Sequence, residues 1–243
     1  MKVKNIFILA AMSLTLASCS DLFEPADENN RGLDEIYNEP TYAQGLLGYG
    51  YAMLTYNTKS VTDVATDDAV SNDLTNGFLK MATGSWTANS DPMSKWTNGR
   101  ASIQYLNIFL QEVDKVNWAK DENARKMYCD SRKGEAYALR ALNLYYLLMN
   151  HGGWTADGKL LGVPNLTEPE TSTDDFNKPR NTFQECLDQI YSDLDEAAKL
   201  LPLDYNDLTD DNAVPAKYKE IGVKTAGDYN RVFGTIMRGR ISG

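Results

Sequence analysis

Apolar side chains recur at helical spacing in three long stretches of the chain, and this periodicity constrains the fold more than any other feature. The stretches cover residues 102–113, 124–150 and 183–201. An apolar residue at every third or fourth position places these side chains on one face of a helix. The last stretch also begins with a Thr182-x-x-Glu185 capping box and stops before Pro202. The pattern predicts three amphipathic helices.

The middle stretch is the longest predicted helix. One face carries a run of apolar and aromatic residues: Ala138, Leu139, Leu142, Tyr145, Tyr146 and Met149. Leu144 and Leu147 lie off this face, so we expect the helix to be buried on more than one side.

Helical spacing also predicts helices over 41–55 and from about Asp228 to Arg240. Strand-type alternation is scarce. We therefore expect a mainly α fold, built from tetratricopeptide-like antiparallel helix pairs with long irregular loops at 57–98 and 154–180. No clean repeat of about 34 residues is visible, so the stack is inferred from the consecutive helix pairs.

The N-terminus reads as a targeting segment. Lys2 and Lys4 precede a short apolar run, which predicts a secretory signal peptide over residues 1–18. Leu16-Ala17-Ser18-Cys19 resembles the bacterial lipobox, which implies a lipid anchor on Cys19. Residues 19–40 would then form a lipidated tether, and its acidic residues resemble the export signal of surface lipoproteins in Bacteroidota.

The excess of acidic residues argues against two classes of binding partner, nucleic acid and anionic lipid. The chain carries 34 acidic and 24 basic residues, for a formal net charge of −10. Nucleic-acid binding depends on Lys and Arg that neutralise phosphates, so this composition argues against nucleic acid. It also argues against electrostatic attachment to anionic lipid, which leaves the covalent anchor.

The sequence gives little support for a metal site, a cofactor site or a disulfide bond. The sequence has one histidine, His151, which we expect near a helix C-terminus, and no HExxH, paired CxxC or EF-hand spacing. No nucleotide or dinucleotide fingerprint is present, so we predict no metal and no cofactor. Cys129 and Cys186 fall within helical patterns; a disulfide between them is possible, but buried free thiols are expected.

Four segments, taken in order, resemble the N-terminal half of a SusD-like protein of the RagB/SusD family. The most specific is a helix with the pattern Gly-Glu-Ala-x-x-x-Arg-Ala that leads through glycines to Val163-Pro164. The others are "TDVATDDAVSND", "NGRASIQYLNIFLQEVD" and "RNTFQECLDQIYSDLDEAAKLLP". Family members are longer than this chain, so the resemblance implies that residues 41–243 form a helical domain truncated at its C-terminus.

The resemblance implies a surface-exposed outer-membrane lipoprotein. Such a protein would bind glycans or oligopeptides and pass them to a SusC-like TonB-dependent transporter, without bond-breaking chemistry. Two other functions stay open from the residues themselves. One is a lipid-anchored helical-repeat adaptor that binds protein partners, and the other is a glycan hydrolase with a carboxylate pair across a cleft.

The long loop at 57–98 holds the candidate ligand-binding residues. By position, the family's N-terminal contacts correspond to Asn72, Asp73, Asn76 and Phe78, just after the Thr-Asp-Asp-Ala segment. Trp96 adds an aromatic face suited to sugar C–H surfaces. We expect Trp86 to be a buried anchor beneath the loop, and Trp154 to plug the end of the long helix.

Overall fold

The computed structural model describes residues 37–54, 62–202 and 208–242. The predicted signal peptide, Cys19 and the tether up to residue 36 lie outside the described residues. The helices are α1 (Pro40–Ala52), α2 (Leu79–Ala82), α3 (Trp96–Glu112), α4 (Glu122–His151), α5 (Phe183–Leu200), α6 (Ala216–Glu220) and α7 (Ala226–Ser242). Short 3₁₀ turns occur at Thr62–Ala65, Val113–Lys115 and Asp211–Ala213. Two two-residue strands, β1 (Gly153–Trp154) and β2 (Leu160–Leu161), pair antiparallel.

The long helices pack as consecutive antiparallel pairs with α4 at the centre. Gly134 in the first half of α4 contacts Leu201 just beyond the end of α5, while Gly152 after α4 contacts Phe183 at the start of α5. In the same way Gly99 near the start of α3 lies against Leu147 in the last third of α4. The mainly α, tetratricopeptide-like arrangement expected from the periodicity is confirmed.

Small residues set the spacing between these helices. A Cβ on Gly134 would lie 2.7 Å from Leu201 Cγ, and one on Gly99 would lie 2.9 Å from Leu147 Cγ. Neither contact is sterically possible without movement, so the two glycines allow the helices their close approach. Glycine at position 134 of the Gly-Glu-Ala pattern is thereby explained.

The buried apolar residues form two clusters, one packed mainly against each half of α4. The first joins α1, α3, the first half of α4, α6 and α7, and includes Leu106, Phe109, Met127, Tyr218 and Tyr229. The second joins α3, the second half of α4, α5 and the connection between them, and includes Leu144, Leu147, Val163, Cys186 and Ile190. Cys129 and Cys186 are buried free thiols, as expected.

The connection from 152 to 182, which contains the predicted loop 154–180, is anchored to the core. Val163 and Leu166 are buried within the second cluster. The Arg180 guanidinium donates to the backbone carbonyls of Gly162, Leu161 and His151, at 2.7, 3.0 and 2.9 Å. One long side chain therefore joins the end of α4 to strand β2.

Gly152, the first of two consecutive glycines after His151, ends α4 without the left-handed conformation that is common at helix C-termini. Its φ is −78°, outside the left-handed region. A Cβ at this position would lie 2.5 Å from the Leu148 carbonyl oxygen, so glycine is required by space and not by φ.

Candidate ligand-binding site

The segment 62–98, which ends in the first turn of α3, carries all five sequence-predicted ligand residues. Its short helix α2 packs on the preceding 3₁₀ turn. The Lys80 ammonium donates to Ser90 Oγ at 2.6 Å, and a Cβ on Gly77 would lie 3.3 Å from Pro92 Cβ. These contacts fold the two arms of the segment against each other.

Asp73 and Asn76 hold the turn that precedes α2. Asp73 Oδ1 accepts from the Thr75 backbone N–H at 2.9 Å and from Thr75 Oγ1 at 2.6 Å. The Thr75 hydroxyl, followed by the Thr75 backbone N–H, lowers the pKa of Asp73, so this carboxylate is ionised near neutral pH. Asn76 Oδ1 accepts from the Phe78 N–H at 3.0 Å, which leaves its amide NH₂ for other partners.

Asn72 and Phe78 occupy the two ends of this turn. Asn72 is exposed, and within the described residues its side chain makes no hydrogen bond. Phe78 is half-buried at the N-cap of α2. The turn therefore presents a free amide, an ionised carboxylate and part of an aromatic ring within seven residues.

Trp96 is the first residue of α3 and is held from two sides. Its indole meets the His151 ring edge-on, with centroids 5.4 Å apart, and the Arg100 guanidinium lies 5.5 Å from its ring centroid. With 42% of its surface exposed, the indole is a fixed aromatic platform that is partly open to solvent.

His151 anchors this platform from the end of α4. As expected, it lies in the last turn of that helix, but its Nε2 accepts from the Lys95 backbone N–H at 3.1 Å. Desolvation, with Arg180 adding to it and Asp91 opposing, lowers the pKa of His151. The imidazole is therefore a neutral acceptor that fixes the start of α3, rather than a cation at the helix terminus.

The structure brings the first four candidate residues together and leaves Trp96 apart from them. Asn72, Asp73, Asn76 and Phe78 share one turn, whereas no hydrogen bond or ring contact among the described residues joins that turn to Trp96. Contacts between the folded arms at Gly77–Pro92 and Lys80–Ser90 link the two parts.

Two tryptophan predictions were wrong. Trp86 is 53% exposed and does not anchor the loop, and Trp154 is 74% exposed in the hairpin after α4 and does not plug the helix end. The sequence did contain an indication that Trp154 is exposed. Gly153 and Gly158 flank it, and both have positive φ, which is typical of a tight protruding hairpin.

These groups suit a neutral polar ligand with apolar faces. Aromatic platforms stack against apolar surfaces, and the amide and carboxylate can hydrogen-bond to hydroxyl groups. The described part of the chain has no group of three or more His, Cys, Asp or Glu side chains placed to hold a metal ion. In the same residues, no helix has the length and apolarity that crossing a bilayer requires.

The chain resembles known proteins in both sequence and fold. A SusD-like family, described as starch-binding and associating with the outer membrane, matches residues 33–217. "SusD-like protein P38" of Formosa agariphila is 26% identical over 229 residues, which cover 86% of this chain and 40% of that protein.

Two solved structures extend the comparison. A SusD-like protein from Bacteroides fragilis superposes with a TM-score of 0.57 at 20% identity, over 73% of this chain and 33% of that one. A candidate sugar-binding protein from Bacteroides vulgatus gives a TM-score of 0.51 at 26% identity, over 84% and 46%. This chain thus spans less than half the length of each of these relatives. Because the family match covers most of its residues, the chain belongs to the SusD-like, or RagB/SusD, family.

Proposed function

We propose that this protein is a surface-exposed outer-membrane lipoprotein that binds nutrient glycans. In this proposal it delivers them to a SusC-like TonB-dependent transporter and breaks no bond itself. The observation that carries the proposal is the SusD-like match over residues 33–217. The exposed turn at Asn72–Phe78 and the Trp96 platform supply chemistry suited to a sugar. Oligopeptides are the other nutrient class that the same turn could accept.

Glycan binding is tested with the Trp96 platform. The variant Trp96→Ala removes the stacking surface, and we expect its affinity for a bound oligosaccharide to fall about tenfold, near the upper end of what one aromatic contact contributes. Isothermal titration with maltohexaose, xylohexaose and a mixed tripeptide library would identify the ligand class. Glu220→Ala is a matched control, because Glu220 is exposed and far along the chain from the site.

The lipid anchor is tested separately. Cys19→Ser should abolish incorporation of labelled palmitate and release the protein from the membrane fraction. If the variant stayed in the outer membrane without lipid, the anchor proposal would be wrong, while glycan binding would be unaffected.

Delivery to a transporter is tested by association. Affinity purification from solubilised outer membranes should recover a large TonB-dependent barrel together with the lipoprotein. Recovery of the lipidated protein alone would leave glycan binding in place and remove the delivery step.

A protein-binding adaptor is the second candidate function, and one observation favours it. Helix α4 exposes Leu142, Tyr145 and Met149 at helical spacing, and α5 exposes Tyr191 and Leu194. Apolar side chains in such rows are typical of surfaces that another helix covers. A failure of every glycan and peptide to bind, combined with stable recovery of a non-barrel protein partner, would favour the adaptor.

A further inference from the structure

A cleft that is separate from the candidate ligand-binding site lies away from the Asn72–Phe78 turn and Trp96. It opens between α3, α4 and the segment 167–171, and its volume is about 570 Å³. Small-molecule sites commonly fall between about 300 and 1,000 Å³. None of the five sequence-predicted ligand residues lines it.

The floor of this cleft is built from two buried polar side chains, Arg140 and Asn107. Arg140 donates twice to Asp193, at 2.8 and 2.6 Å, and also to Asn107 Oδ1 at 2.8 Å and to the Thr167 carbonyl at 3.1 Å. Asn107 Nδ2 donates to the carbonyls of Leu166 and Glu168, at 3.1 and 2.9 Å. The floor and the backbone of the rim are thereby fixed before any ligand arrives.

The charge of the floor is compensated. Asp193 is buried and forms a two-point ion pair with Arg140, so the guanidinium offers no uncompensated positive charge to an anion. Glu168, an exposed carboxylate on the rim, adds negative charge. The cleft therefore disfavours anionic ligands.

The walls offer an aromatic ring and unused hydrogen-bonding groups. The Arg140 guanidinium lies 5.3 Å from the Tyr137 ring centroid, and the ring is half-buried. Within the described residues, the side chains of Tyr137, Gln111, Thr167 and Glu168 make no hydrogen bond to protein. A phenol, an amide, a hydroxyl and a carboxylate are thus available around a preformed space.

We propose that this cleft is a second binding site for neutral carbohydrate, separate from the Asn72–Trp96 region. Tyr137 lies beside the sugar ring, while Gln111, Thr167 and Glu168 hydrogen-bond its hydroxyl groups. The class of ligand follows from the compensated floor, the aromatic wall and the absence of an unpaired cation among the described residues that line the cleft. The inference rests on the proposed function for its ligand class, but its location is independent of that site.

The test is site-resolved NMR on the labelled chain, titrated with maltohexaose, xylohexaose and, as an anionic counterpart, trigalacturonic acid. We expect a neutral hexasaccharide to shift the amide signals of Gln111, Tyr137 and Thr167, and the galacturonide to leave them unmoved. The double variant Gln111→Ala/Glu168→Gln alters two exposed side chains that make no hydrogen bond or ion pair within the described residues, so it should fold normally. It should weaken binding at these signals about tenfold or more, the cost of one or two lost hydrogen bonds.

Two further variants separate this cleft from the first site. Tyr137→Phe keeps the ring and its packing against Arg140, and should weaken cleft binding less than the double variant does. Trp96→Ala should leave binding at Gln111 and Tyr137 unchanged.

Each outcome distinguishes the two proposals. Shifts confined to the Asn72–Trp96 region overturn the second site and leave the proposed function standing. Shifts confined to the cleft support the second site and remove the loop as the ligand site. Signals of both regions unmoved by millimolar glycan overturn both, and equal shifts with the galacturonide overturn the neutral-ligand assignment.

Discussion

Arg140, the arginine of the Gly-Glu-Ala-x-x-x-Arg-Ala pattern, carries a charge into the interior and connects three elements there. Its guanidinium joins α4 to Asp193 of α5 and to Asn107 of α3. Breaking such a pair leaves a buried charge without its counter-ion, which commonly costs about 3–5 kcal/mol. The pattern that identifies the family thus marks the position where the helices are joined.

We therefore expect Asp193→Leu to lower the free energy of unfolding by about 3–5 kcal/mol in urea denaturation. The double variant Arg140→Met/Asp193→Leu should be less destabilised, because no charge remains buried alone, although Asn107 and Thr167 still lose a donor. Glu196→Ala, which removes the exposed pair with Lys199, is the control and should cost under about 1 kcal/mol. Equal losses for Glu196→Ala and Asp193→Leu would contradict this account.

Two glycines give a second matched comparison. A Cβ on Gly162 would lie 2.3 Å from Cys186 Sγ and 3.1 Å from the Thr182 carbonyl oxygen, whereas one on Gly45 would meet nothing within 4 Å. Gly162→Ala should destabilise the protein by about 1–3 kcal/mol through overpacking. Gly45→Ala, in the exposed middle of α1, should stabilise it by up to about 1 kcal/mol. Thermal unfolding of the two variants would measure both, and a shift of the same sign would refute the steric argument.

At the scale of elements, the sequence predicted the existence and extent of the long helices well. The Thr182 capping box forms both of its expected bonds, since Thr182 Oγ1 accepts from the Glu185 N–H and Glu185 accepts from the Thr182 N–H. The apolar face of α4 was less well predicted. Leu142, Tyr145 and Met149 are exposed, while Leu144 and Leu147 are buried, because the neighbours of a helix decide which of its apolar faces is covered.

The junction between α3 and α4 is expected to respond to pH. Because the folded-state pKa of His151 is lowered from its ordinary value of 6.5, the neutral imidazole is the form that the fold favours. The unfolded chain binds the proton first, so this contribution to stability is complete above about pH 6.5 and is lost as the pH falls through the folded-state pKa.

The predicted loss of stability at lower pH can be assigned to His151, because it is the only histidine in the sequence. His151→Gln keeps an acceptor for the Lys95 N–H and removes the titration. Urea unfolding between about pH 7 and pH 5 should show a steeper loss of stability for the native chain than for the variant. Parallel curves would mean that the imidazole does not contribute to the pH dependence.

At the scale of the whole molecule, the fold class and the family were predictable and the sites were predictable only in part. Local spacing places Asn72, Asp73, Asn76 and Phe78 in one turn, and sequence proximity is enough to group them. The cleft at Tyr137 was not predicted, because residues more than fifty positions apart, such as Asn107 and Thr167, come together only through packing. Exposure of Trp86 and Trp154 likewise depends on what surrounds them.

The exposed apolar rows on α4 and α5 predict self-association of the chain in solution. Met149 is 62% exposed and Leu194 is 45% exposed, so contact between copies would remove both from water. Sedimentation at increasing concentration should show association that the double variant Met149→Gln/Leu194→Gln reduces. Ser192→Gln on α5 is the control, and a native chain that stays monomeric throughout would contradict the prediction.

The distribution of tryptophan gives the protein its own optical reporter. Of its four tryptophans only Trp118 is buried, stacked on Tyr128 with ring centroids 5.3 Å apart, whereas Trp86, Trp96 and Trp154 face solvent. Native emission should therefore be red-shifted and strongly quenched by acrylamide, with a protected fraction that belongs to Trp118. A sugar that stacks on Trp96 would shield part of the quenchable light, while one in the cleft beside Tyr137 would leave that light unchanged.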